Sequence, residues 1–273
     1  MKNIIVPIDF SGQSEYALEV AATMAKKNKA TIYAIHMLEL NEAIISSGES
    51  VHPQHTVFLI KLAEKRFTEF LEKPFLKDIE VVPIIKHFKV FKEVGEVAEE
   101  CNADLIVMGS HGTEGLKEIF VGSNTEKVVR NSDVPVLVIK SKFENFDPQQ
   151  MIFACDLKEE NIHAFQRAMA IAEFMSCELK LVYVNTPGDD FLSTTEIQEK
   201  IETFCKITGH DVLIAIHNDY SVENGVLNFA KEVDADIIGI PTHGRKGLSH
   251  FFMGSIGEDV ANHAVLPVLT FKI

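Results

Sequence analysis

DLIVMGSHGTEGLKEIFVGSNTEKVVRNSDVPVLVIK, residues 104–140, is the stretch that decides the fold. Its apolar run Leu105–Met108 stops at Gly109, the pattern of a short buried strand. Gly109, Gly112 and Gly115 then lie in a polar loop, and Gly122 and Ser123 open a helical pattern with Val128 and Val129 on one face. Ser123, three residues before Glu126, has the spacing of an N-cap with a capping box. Pro135 ends the connection, and Val136–Ile139 form a second buried strand. Glycines therefore stand where a strand stops and where a helix starts. In an open α/β sheet ligands bind at that junction. The unpaired N–H groups and positive dipole end of the helix favour an anion there.

The same unit occurs twice. Residues 236–272, DIIGIPTHGRKGLSHFFMGSIGEDVANHAVLPVLTFK, repeat it 132 positions later, matching Asp104 with Asp236, His111 with His243, Gly112 with Gly244, Gly122 with Gly254, Ser123 with Ser255 and Lys140 with Lys272. Nearer the start of each copy the offset is 147, from Asp9 to Asp156 and from His36 to Tyr183. The chain is thus a tandem duplication, and the second copy is shorter by 15 residues between its second and fourth strands. Residues 40–57, LNEAIISSGESVHPQHTV, have little periodicity, read as a long loop, and are the simplest place for the difference. Lys142–Gln150, KFENFDPQQ, is polar and aperiodic and reads as the linker, giving expected domains at 1–141 and 149–273.

In the first copy, strands are expected at Asn3–Ile8, Thr31–Met37 and Ile79–Ile85, with helices after Ser11, over Phe58–Leu71 and over Val90–Cys101. Leu59, Leu62, Ala63, Phe67 and Phe70 are the expected inward face of the second helix. Strands alternating with helices imply a parallel sheet covered on both faces.

Gly109-x-x-Gly112, nine residues, then Gly122-Ser123, together with the opening IIVPIDFS, resembles the nucleotide-binding signature and first strand of universal stress proteins. The resemblance covers essentially the whole chain as two copies. It implies two flavodoxin-like, adenine nucleotide α-hydrolase-like domains, each a five-stranded parallel sheet of order 3-2-1-4-5. It also implies ATP or AMP as ligand, bound at Gly109, His111, Gly112, Gly122, Ser123 and Asn124 with its phosphates on the glycines, Ser123 and Asn124; a bound triphosphate could carry Mg²⁺. Pro7, Asp9, Met37 and Met108 match the positions that line the adenosine end. Asp9 is either an acceptor for ribose or adenine or part of the helix start after Ser11. The two methionines either pack on the base or fill the core. His111 and His243 either contact phosphate or belong to the loop structure. Asp156, Gly244, Gly254 and Ser255 form a weaker second site, because Pro241 stands where the first copy has Gly109 and Ala154 where it has Pro7. Arg245 and Lys246 make that second loop more basic. The family's dimers pair the last strands of their domains. Val136–Ile139 and Val268–Phe271 are therefore expected to pair within this chain as a pseudo-dimer, leaving a homodimer of the whole chain and a protein partner open.

Composition narrows the function. The 273 residues carry a formal net charge of −14, which opposes nucleic acid and anionic membrane as partners. There is no apolar run of the ~20 residues that span a bilayer and no leader pattern, so a cytoplasmic location is expected. Cys101, Cys155, Cys177 and Cys205 have no metal or redox spacing and are expected as reduced thiols, and no histidine spacing suggests a metal site. The chain lacks GxxxxGK[ST], GxGxxG and GxSxG. With no catalytic base or lysine clamp in evidence, at most weak ATP hydrolysis is expected. The expected role is nucleotide-linked regulation in the stress response. A slow ATPase or phosphotransferase, or a nucleotide-independent interaction module, are the alternatives.

Overall fold

The computed structural model describes residues 1–38, 53–87, 90–110, 123–188, 191–242 and 264–273. The first half runs β1 (Asn3–Ile8), α1 (Gly12–Asn28), β2 (Thr31–Leu38), α2 (Pro53–Leu71), β3 (Val81–His87), α3 (Val90–Glu100), β4 (Leu105–Gly109), α4 (Ser123–Asn131) and β5 (Val136–Ile139). The second runs β6 (Gln150–Ala154), α5 (Ile162–Met175), β7 (Glu178–Asn185), α6 (Thr194–Thr208), β8 (Ile214–Asn218), α7 (Val222–Glu232), β9 (Ile237–Thr242) and β10 (Val268–Lys272). Among the described residues these strands make one continuous sheet, ordered β3-β2-β1-β4-β5-β10-β9-β6-β7-β8. Each half is parallel and ordered 3-2-1-4-5, as expected.

Continuous apolar strands are buried on both faces because helices cover both. Ile4 and Val6 of β1 face one cluster with α1, whereas Ile5 faces another with Val94 and Val97 of α3. Asp104, one of the duplicated residues, has a structural task. Its carboxylate accepts the backbone N–H groups of Lys2 at 2.6 Å and Asn3 at 3.0 Å, clamping the start of β1 beside β4. Asp236 repeats this for Gln149 at 2.7 Å and Gln150 at 2.9 Å.

The halves join where the sequence leaves two apolar edges. β5 and β10 pair antiparallel, with Val138 level with Val268, Leu137 with Leu269 and Val136 with Thr270. Pairing removes the exposed-edge hazard of both strands. The duplicated lysines flank this seam. Lys140 donates to the Ala264 carbonyl at 2.5 Å, and Lys272 reaches the Asp133 carboxylate at 2.8 Å. Val265 occupies the position that repeats Asp133, so the two lysines are not equivalent. Burial pulls the Lys140 ammonium down to about 8.

Several expectations need correction. Helix α2 begins at Pro53, inside the stretch read as a loop, and proline is well tolerated in a first helical turn. Ala63 and Phe67 are buried as expected, but Leu62 is exposed, one residue step off the face that Ala63, Phe67 and Phe70 define. The third strand lies two residues later than expected, at Val81–His87. Ser123 is the first residue of α4 rather than its cap. Glu126 is paired with Arg130 at 2.7 Å, one turn on. The linker is more than a polar spacer, because Phe146 is buried against the core and its ring meets that of Phe143 edge-on at 5.4 Å. The four cysteines are free, and burial raises the Cys155 thiol to about 12.

Candidate functional site

At the carboxyl ends of β1, β2 and β4 the first half opens into a cleft of about 460 Å³. Pro7, Asp9, Met37, Met108, Gly109 and Asn124 line it together, although they come from four separate elements. Ser11, Gln13, Ser14, His36 and Thr125 also line it and were not among the site residues expected from the sequence. His111, Gly112 and Gly122, and the side chain of Ser123, lie outside the described residues.

Asp9 follows β1, where Phe10 adopts a left-handed conformation with φ 64°. The Asp9 carboxylate accepts the Ser11 N–H at 2.9 Å and the Ser11 hydroxyl at 2.5 Å, and Ser11 in turn caps α1 through the Ser14 N–H. Asp9 thus supports the helix start and lines the cleft at once. Met37 and Met108 are nearly buried in the core under α3, yet both form part of the cleft floor, so the two readings of these residues are compatible.

Gly109 has a reason that sequence reasoning missed. A Cβ there would stand 2.6 Å from the backbone carbon and oxygen of Gln13. The glycine lets the end of β4 press against the first turn of α1, which brings two walls of the cleft together. Gly109→Val should therefore cost about 1–3 kcal/mol through overpacking. Urea unfolding of the variant checks this, and an unchanged midpoint would refute it. Thr125, buried in the first turn of α4, donates its hydroxyl to the Gly109 carbonyl at 2.9 Å. That bond fixes the start of α4 beside the end of β4 and so places Asn124.

His36 forms the side wall. Its Nδ1–H donates to the Ile8 carbonyl at 2.8 Å, and its ring packs on Phe10 at 4.3 Å and Phe67 at 6.1 Å. Burial holds its pKa below the ordinary 6.5, with Arg66 assisting and the Ile8 carbonyl opposing. The unfolded chain therefore binds this proton more readily than the folded one. The resulting stability is fully present above pH 6.5 and declines as pH falls below it. Unfolding at about pH 7.5 and about pH 5.5 should show a loss that is smaller in His36→Gln. Equal losses would assign the pH dependence elsewhere.

Among the described residues the matching position in the second half is nearly filled. Asp156, Pro241 and Ala154 border a void of only about 20 Å³, with Tyr183 in place of His36 and Val184 in place of Met37. The Asp156 carboxylate is taken up locally, accepting the Lys158 N–H at 3.1 Å and the Asn161 side-chain amide, with the Lys158 ammonium 3.2 Å away. The helix start after Asp156 also differs from its counterpart in the first half. A 3₁₀ turn over Glu159–Asn161 replaces the first turn of α1, and α5 proper starts at Ile162. Helix α7 closes the other side. A Cβ on Gly225 would lie 2.4 Å from Val184, so the glycine seats α7 directly on β7. Glu93 stands at the repeat of Gly225, which is a sequence signal for this closure. Gly244, Gly254 and Ser255, with His243, Arg245 and Lys246, lie outside the described residues.

A sequence model of the universal stress protein family matches residues 1–140 and again 149–272. The chain belongs to the universal stress protein family. It is a tandem universal stress protein, with nearly its whole length accounted for by two copies. Its relatives include two universal stress proteins of Methanocaldococcus jannaschii. One is 32% identical over 160 residues, covering 52% of this chain and 96% of the relative. The other is 33% identical over 146 residues, covering 51% and 82%. A solved universal stress protein from Archaeoglobus fulgidus superposes with a TM-score of 0.76 over 99% of this chain and 98% of its own, at 22% identity, and so shares the tandem fold. Among the described residues no helix is long and apolar enough to cross a membrane.

Proposed function

We propose that this universal stress protein binds one adenine nucleotide, ATP or AMP, in its first half and acts as a nucleotide-linked regulator in the stress response. The observation that carries the reading is the first-half cleft of about 460 Å³ at the switch point of a parallel sheet, against about 20 Å³ at its repeat. Nucleotide-sized ligands occupy clefts of roughly 300–1,000 Å³. The adenosine end lies among Pro7, Asp9, Met37 and Met108, where two thioethers offer a polarizable floor for a base and Asp9 offers carboxylate oxygens to hydroxyl or amino groups. The phosphates lie at the start of α4, at Gly109, His111, Gly112, Gly122, Ser123 and Asn124, where the helix N-terminus favours anions. Mg²⁺ comes with a triphosphate. The phosphate oxygens of a triphosphate hold the Mg²⁺.

Regulation fits better than turnover. Among the described lining residues Asp9 is the only carboxylate, and none is Lys or Arg. Fast phosphoryl transfer needs a cationic clamp, and the described walls of the cleft supply none. Residues 1–141 act as the ligand-binding unit and 149–273 as its partner across the β5–β10 seam. Mass spectrometry of small molecules released from the denatured purified protein tests the reading. ATP or AMP at up to one per chain is the expected result, with no steady phosphate release from added ATP. Steady release that is lost in Gly122→Val would favour the slow ATPase instead.

A further inference from the structure

The two outer edges of the sheet, β3 and β8, are built differently. At β8 the Asp219 N–H donates to the Asn185 carbonyl of β7. Peptide groups along a strand alternate in direction. Ala215 and His217 therefore also address β7, while Ile214, Ile216 and Asn218 direct their N–H and C=O groups outward. The register, with His217 level with Val184, agrees. In the first half Ala34 is level with Pro83, and in the second Leu181, at the repeat of Ala34, is level with Ile214. Proline removes the outward donor at the centre of β3, a common guard on edge strands. Ile214 leaves that donor in place on β8.

The surroundings of β8 are apolar and open. Leu213, just before the strand, is 96% exposed, and Tyr220, just after it, is 90% exposed. Ile216, at its centre, is 36% exposed. Beside the start of the strand lies an open groove of about 590 Å³, lined in part by Phe165, Met169, Leu179, Val212 and Leu213.

We propose that β8 pairs antiparallel with β8 of a second copy of this chain, about a twofold axis at Ile216. In that register Ile216 faces its own counterpart, Ile214 faces Asn218, and Val212 faces Tyr220. The three outward-directed residues then fall on the hydrogen-bonded pairs, which recur at every second position of an antiparallel ladder. The same register brings Tyr220 of each copy to the other's groove, beside Leu213. Parallel pairing would instead set Tyr220 beside Tyr220, away from both grooves. An isologous edge contact of this kind closes on itself and leaves no open β8 edge. The chain already extends its sheet in this manner at β5–β10.

Sedimentation velocity and light scattering on the intact chain test the proposal. Ile214→Pro installs the first half's own residue where the N–H points outward, so the ladder to β7 keeps its bonds. Ile216→Lys sets two ammonium groups against each other on the axis. The wild type should be dimeric at roughly 50 µM, and each variant should weaken the dimer at least about tenfold. Circular dichroism and a thermal melt verify the fold of each variant. If Ile214→Pro loses its native melt, Ile216→Lys, which leaves every backbone N–H in place, decides. A wild type that stays monomeric at about 100 µM, or a dimer that Ile216→Lys leaves equally tight, overturns the proposal.

Discussion

Calorimetric titration of the intact chain with ATP should saturate at one nucleotide per chain. Among the described residues the first-half cleft measures about 460 Å³ and the void at its repeat about 20 Å³. Three substitutions act together in the second half. Pro241 brings a ring and no N–H where Gly109 has neither side chain nor constraint. Gly225 lets α7 lie against Val184, and Tyr183 replaces the smaller His36. A single hydrogen bond lost to a buried partner costs about 1–3 kcal/mol, or about tenfold to a hundredfold in affinity. Steric closure adds to that. Gly122→Val, which puts a branched side chain in the proposed phosphate loop, should abolish the single binding event while leaving the thermal melt in place. Two equal sites, or unchanged affinity in Gly122→Val, would remove the assignment of the phosphates to the first copy. A free phosphate or sulfate held weakly by the second copy is compatible with one nucleotide site, because Arg245 and Lys246 add positive charge to its loop.

Leu269→Asp should prevent the chain from folding as one unit. Leu269 is wholly buried at the middle of β10, level with Leu137 across the seam between the halves. A carboxylate there would have neither water nor a cation, and a buried unpaired charge is among the most damaging single changes. The expected loss is more than about 4 kcal/mol, enough to consume much of a typical domain's stability. Leu269→Ala, which leaves a cavity without burying a charge, should lose about 2–5 kcal/mol and stay folded if the wild-type margin allows. Denaturant melts of both variants check the order. A Leu269→Asp protein as stable as wild type would mean that the β5–β10 seam contributes little to the native state. Lys272 reaches the Asp133 carboxylate just beyond the end of α4, whose first turn lines the cleft, so the second half holds the far end of the proposed phosphate helix.

Much was legible in the sequence because it depends on local rules. Alternating strands and helices fixed the fold class, since continuous apolar strands of four to eight residues survive only in a sheet covered on both faces. The duplication and the tandem arrangement follow from residue spacing alone. The pairing of β5 with β10 was readable from the family resemblance, which makes the apolar last strand of each copy an edge that pairs in dimers. The residues at the strand ends, Pro7, Asp9, Met37, Met108 and Gly109, gather in one cleft because parallel strands place all their carboxyl ends on one side.

What only the tertiary structure decided concerns close approach between elements distant in sequence. No pattern within β4 shows that Gly109 must admit Gln13 of α1, nor that Gly225 of α7 must admit Val184 of β7. His36 looked like one more strand residue until the turn at Phe10 and helix α2 surrounded it. Leu62 satisfied helical periodicity yet faces solvent, because helix α2 presents only the stripe through Ala63 and Phe67 to the sheet. Periodicity tells which residues share a face, but the angle at which that face meets its neighbour is set by packing across the whole core.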